Sequence, residues 1–74
     1  QGWLVFEDRP LAEVVEEIAR YSPTPITVFG RAVRNRRVSG AFRIDQPSRT
    51  LARLEQTLGV RATRLPGGAV IIHG

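Results

Sequence analysis

Residues 31–37 read RAVRNRR, four arginines in seven positions, and the strand-like VSGAFRI follows at once. Guanidinium groups at that density neutralise phosphates, meet an acidic protein surface, or stay solvated on a connector. Arg31, Arg34, Arg36 and Arg37, with Ser39 and Arg43 on the strand that follows, are therefore the candidate partner-binding residues. Other residues able to carry chemistry are sparse. Glu13, Glu16 and Glu17 lie on the polar face of a helical pattern and read as solvated surface, not as an acid–base pair. His73 is the single histidine, one residue from the end, with no cysteine beside it, so no metal site is expected. Ser22, Ser39 and Ser48 have no neighbouring histidine in sequence to serve as a base. PGGA lacks the Lys-Ser/Thr of a phosphate loop and precedes a strand instead of a helix. No catalytic, cofactor-binding or metal-binding residue is expected. The chain reads as a binding or regulatory module and not as an enzyme.

The charge is divided along the chain. Residues 1–30 hold five acids against two arginines, net −3, and residues 31–74 hold nine arginines against Asp45 and Glu55, net +7. All the basic residues are arginine, which codon bias in a GC-rich genome accounts for. The 74 residues suit one domain with a small core, and no apolar run approaches the ~20 residues of a membrane span. With no cysteine the redox compartment stays open.

The elements that must position these residues follow from periodicity. WLVFED (3–8) is a short β-rich run, apolar on both faces, which predicts a covered strand. Leu11, Val14, Val15 and Ile18 then fall at i, i+3, i+4, i+7, the stripe of an amphipathic helix with Pro10 in its first turn and Asp8 or Arg9 at its start. Glu16 is placed to pair with Arg20 at i+4. SPTP (22–25) ends the helix, and ITVFG (26–30) is a second strand. RAVRN has room for one helical turn, with Ala32 and Val33 turned to the core. RRVSGAFRI (36–44) alternates: Val38, Gly40, Phe42 and Ile44 on one face, Arg37, Ser39, Ala41 and Arg43 on the other. Gly40 marks a bulge or a close backbone approach. A second helix follows, with Leu51, Leu54 and Leu58 as its stripe, Asp45 or Gln46 as cap, Pro47 in the first turn and Gly59 at C′. VRATRL (60–65) and AVIIH (69–73) form a hairpin through PGG. The order is β-α-β, connector, β-α-β-β: an α+β fold of two βαβ halves, with two helices packed on small sheets.

The pattern resembles the C-terminal periplasmic domain of FecR-type transmembrane sigma-factor regulators, itself similar to the short N-terminal domain of secretins and TonB-dependent transporters. The matching positions are Leu4 and Phe6 in the opening strand, Pro10-Leu11 opening the helix and Arg20-Tyr21 closing it. Val38-Ser39-Gly40 with Phe42, then Asp45 and Pro47, and the Leu51, Leu54, Leu58 stripe complete the match over nearly the whole chain. The Arg-Tyr and Val-Ser-Gly elements favour the regulator over the transporter version, whose copies run to L-x-x-L-L-x-G-T-G-L. Ala19 departs from the family's Asn-Arg-Tyr.

The resemblance implies a periplasmic receiving domain, cut from a longer inner-membrane protein with a single span. Its implied partner is the N-terminal signalling domain of an outer-membrane TonB-dependent transporter. Occupancy by a siderophore or haem would be relayed to an extracytoplasmic-function sigma factor, with no cofactor and no small-molecule ligand on this domain. The alternative ownership is the signalling domain of a transporter or secretin. Nucleic-acid binding ranks last. Phe6, Phe29 and Phe42 fall on strands that read as core-facing, leaving no stacking platform, and the acidic first helix repels a phosphate backbone.

Overall fold

In the computed structural model, which describes residues 2–74, the chain runs β1 (Trp3–Pro10), α1 (Leu11–Ala19), β2 (Ile26–Val28), α2 (Arg31–Arg34), β3 (Arg37–Arg43), α3 (Pro47–Leu58), β4 (Arg61–Arg64) and β5 (Val70–His73). The expected order of elements holds, with the single turn of RAVR as α2. The two halves interleave through their strand pairing. β1 pairs antiparallel with β3, the opening strands of the two halves. The closing strands form a second sheet, ordered β2-β5-β4, in which β5 runs parallel to β2 and antiparallel to β4.

α1 is the hub. Leu11, Val14, Val15 and Ile18 are all essentially inaccessible, and the helix packs on β1, β2 and β3. Burying each such side chain contributes roughly 1.5–3 kcal/mol. Leu51 and Leu54 on α3, Phe6, Phe42, Val38, Val60, Val70 and Ile72 complete the core. Phe6 and Phe42 meet with ring centroids 6.1 Å apart, tilted by 46°.

α1 starts without a side-chain cap, its N-cap being Pro10. Asp8 and Arg9, expected near the start of this helix, belong to β1 instead. The Leu11 N–H, an orphan of the first turn, donates to the Arg36 carbonyl at 2.7 Å. α3 likewise has no side-chain cap: Gln46 is the N-cap residue, and the Asp45 carboxylate is engaged by Arg43. Its other end closes on Gly59, left-handed at φ 71°, whose N–H donates to the Glu55 carbonyl at 2.9 Å. On α1, Arg20 pairs with Glu17 at 3.7 Å, and Glu13 with Arg9 at 2.8 Å. The expected Glu16–Arg20 pair therefore does not form.

Three further expectations are corrected by the packing. The outer face of β1 is open, with Trp3 51% and Val5 73% exposed, because α1 covers only the face carrying Leu4 and Phe6. Phe29 is 72% exposed, because β2 ends at Val28 and Phe29 points to the uncovered side of the second sheet. Of the Ala32–Val33 pair, only Val33 packs on the core, since one helical turn can direct only one of two adjacent side chains inward.

Candidate docking surface

The six candidate residues lie on the connector and on β3, and the alternation read from sequence is observed: Val38 and Phe42 are buried, while Arg37, Ser39, Ala41 and Arg43 face water. The arginines of the connector nevertheless diverge. Arg34 donates through Nη1 to the Val28 carbonyl at 3.1 Å. Arg36 donates through Nη2 to the Leu58 carbonyl at 2.7 Å, placing a cation on the negative end of α3. Through its own carbonyl on Leu11, the same residue ties the start of α1 to the end of α3.

Arg37 and Ser39 meet on a β-bulge. The β1–β3 register passes from Phe6 opposite Gly40 to Arg9 opposite Val38, so Glu7 and Asp8 together oppose Ser39. Asp8 stands at φ 51°, a left-handed conformation that aspartate tolerates better than most residues. Its N–H donates to Ser39 Oγ at 2.9 Å, Arg37 Nε donates to Asp8 Oδ1 at 2.9 Å, and Arg37 Nη2 donates to the Asp8 carbonyl. The Arg37 guanidinium, by hydrogen bond and by charge, holds the Asp8 carboxyl below its ordinary pKa, and the carboxylate raises that of Arg37. Arg31 alone among the four connector arginines has no side-chain hydrogen bond or ion pair among the described residues.

Arg43 joins a different neighbourhood. It pairs bidentately with Asp45, Nε to Oδ1 at 2.9 Å and Nη2 to Oδ2 at 2.7 Å, which holds the Asp45 carboxyl below its ordinary value. Its guanidinium carbon lies 5.4 Å from the centroid of Trp3, the residue opposite it in the ladder. Arg53 reaches back from α3, donating through Nη1 to the Ala41 carbonyl at 2.9 Å and lying 5.0 Å from the Phe42 ring centroid. Between these groups runs an open groove of about 390 Å³, lined by Trp3, Arg43, Arg49, Thr50, Ala52 and Arg53 with Gln46 and Gln56. Three arginines and a half-exposed indole form a basic, aromatic recess suited to carboxylates that bring an apolar side chain with them.

Trp3, Arg49 and Arg53 were not among the six partner-binding candidates read from sequence. Trp3 and Val5 alternate with Leu4 and Phe6, so the outward pair was visible in the strand, but not that it stays exposed. A second uncovered apolar face lies on the other sheet, where Phe29, Ile71, Thr63 and His73 line a shallow depression of about 460 Å³. His73 Nε2 and Thr63 Oγ1 are hydrogen-bonded there at 2.6 Å.

Fold and surface together define a small α+β domain, with its polar chemistry on one strand ladder and the helix beside it. Residues 3–72 match the model of the FecR C-terminal domain, and the chain belongs to that family. Two crystal structures of a protein from Parabacteroides distasonis, described as a "putative anti-sigma factor", share the fold. Both superpose with a TM-score of 0.81 at 18% identity, covering 99% and 97% of this chain and 34% of each of those. The chain thus spans about a third of the length of these solved relatives. No curated protein matches it. No helix among the described residues is long and apolar enough to cross a membrane.

Proposed function

We propose that this chain is the periplasmic receiving domain of a FecR-type sigma-factor regulator. It binds the N-terminal signalling domain of an outer-membrane TonB-dependent transporter, and the longer protein relays the transporter's occupancy by siderophore or haem to an extracytoplasmic-function sigma factor. The observation that carries the reading is the family match over residues 3–72. The fold shared with a protein described as an anti-sigma factor is consistent with it. The domain works by recognition and not by catalysis.

The docking surface proposed is the open face of β1 and β3 with the groove beside it. Arg43, Arg49 and Arg53 present positive charge, and Trp3 is the aromatic anchor, the residue type that most often dominates an interface. Ser39 and Arg37 shape this face through the bulge, and Arg34 and Arg36 hold the connector against β2 and α3. An acidic partner surface would be steered here by charge and retained by contact with Trp3.

The test is calorimetric titration of the domain with the N-terminal signalling domains of the TonB-dependent transporters of the same organism, one at a time. Binding to one of them, weakened about tenfold or more by Arg49→Glu with Arg53→Glu and by Trp3→Ala, is the expected outcome. A domain that binds none of them refutes the proposed partner. Full affinity in both variants removes the groove from the interface.

A further inference from the structure

The two sheets have four free strand edges, and they are treated unequally. β5 is central and paired on both sides. On β3 the outward carbonyls of Ala41 and Arg43 accept from Arg53 Nη1 and Thr50 Oγ1, each at 2.9 Å. On β2 the outward carbonyl of Val28 accepts from Arg34. On β4 the outward N–H of Ala62 donates to Glu55 Oε2 at 3.0 Å. Side-chain caps of this kind keep an edge from pairing with another chain.

β1 has no such cap among the described residues. The Ile44 N–H donates to the Gly2 carbonyl at 3.0 Å, which makes Gly2–Ile44 a hydrogen-bonded pair of the ladder. By alternation Leu4–Phe42 and Phe6–Gly40 are hydrogen-bonded pairs too, and the backbone N–H and C=O groups of Trp3 and Val5 point away from β3. Beside this strand lies a groove of about 300 Å³, lined by Leu4, Val5, Phe6 and Arg9 of β1 and by Glu13, Glu16 and Glu17 of α1. Glu13 is matched by Arg9 and Glu17 by Arg20, while Glu16 makes no ion pair among the described residues.

The geometry points to β1 as a strand-addition site for an extended, basic segment of a partner protein. The segment extends the β1–β3 sheet through the backbone groups of Trp3 and Val5 and sets an Arg or Lys side chain against Glu16, the α1 carboxylate lining the groove that has no ion pair among the described residues. Backbone pairing supplies attachment and the α1 carboxylates supply selection. A second copy docked through the same edge would bring two acidic α1 flanks together, which charge disfavours. This site takes the opposite charge to the arginine groove and stands whether or not a transporter domain binds there.

The experiment is amide hydrogen exchange of the domain by NMR, with a short synthetic peptide of alternating valine and arginine as probe and one of alternating valine and glutamate as control. The expected result is exchange at Trp3 and Val5 slowed by about tenfold or more with the basic peptide alone, and affinity that falls with added salt. Val5→Pro removes an outward N–H without touching the ladder and is expected to abolish binding while the fold persists. Glu16→Arg with Glu17→Arg, a pair of changes on the helix surface, is expected to do the same should the proline variant not fold. Peptide binding that leaves the Trp3 and Val5 amides unprotected overturns the inference, as does full affinity in a folded Val5→Pro. Protection that rises with protein concentration in the absence of peptide also overturns it, by assigning the edge to a second copy.

Discussion

Replacing Gly40 with alanine separates two reasons for a glycine in a strand. Gly40 lies at φ 138° opposite Phe6, directly beside the Asp8 bulge. A Cβ built there meets only the Phe42 ring, at 3.6 Å, an ordinary contact. Space is therefore available, and the cost is that of holding an L-residue in a backbone region that only glycine enters readily, about 2–3 kcal/mol. Gly59 is the comparison, at φ 71° with nothing within 4 Å of its Cβ. Its left-handed conformation is one that L-residues do visit, so Gly59→Ala costs about 1 kcal/mol. For a chain of 74 residues total stability is on the order of 4–11 kcal/mol. The Gly40 variant thus loses between about a fifth and three-quarters of it. Urea unfolding followed by circular dichroism reads both: with a slope near 1 kcal/mol/M, the midpoint falls by about 2–3 M for Gly40→Ala and about 1 M for Gly59→Ala. Equal shifts for the two variants, or none at Gly40, would refute the assignment of the cost to backbone conformation.

Two further outcomes are expected. Ile18→Ala, in the fully buried stripe of α1, costs about 2–5 kcal/mol in the same urea assay, because four elements pack on that helix and cannot all close on the void; a cost below about 1 kcal/mol contradicts α1 as the hub. Acid weakens the fold through Asp8 and Asp45. Both carboxyls are held below their ordinary values by Arg37 and Arg43, so their contribution is complete above the ordinary carboxylate range near pH 4 and is lost as pH falls through the lowered native values. Thermal unfolding against pH is expected to show less acid sensitivity in Asp8→Asn with Asp45→Asn, and an unchanged pH profile would remove these pairs from the balance.

Much of the fold was legible because periodicity carries it. The α1 stripe of Leu11, Val14, Val15 and Ile18, the alternation of β3 and the hairpin after Gly59 each depend on residues close in sequence, and each stands as read. The family resemblance rested on the same local patterns. The docking surface was only partly legible, since a run of arginines does not disclose its acceptors. Arg34, Arg36 and Arg37 find theirs on β2, α3 and the β1 bulge, 6, 22 and 29 residues away. The bulge itself carries no composition signal beyond a glycine on the opposite strand.

RAVRNRR by itself determined a charged, turn-forming connector between two halves, because charge density and the lack of an apolar stripe are properties of the segment. Only the tertiary structure decided that three of its arginines close backbone carbonyls or a carboxylate within the domain. It also decided that the open groove is built by Arg43, Arg49, Arg53 and Trp3, and that among the described residues β1 alone keeps a strand edge without a side-chain cap. Those outcomes depend on which strand lies beside which. Strand pairing is a long-range choice, made by where α1 can bury its stripe against both sheets at once.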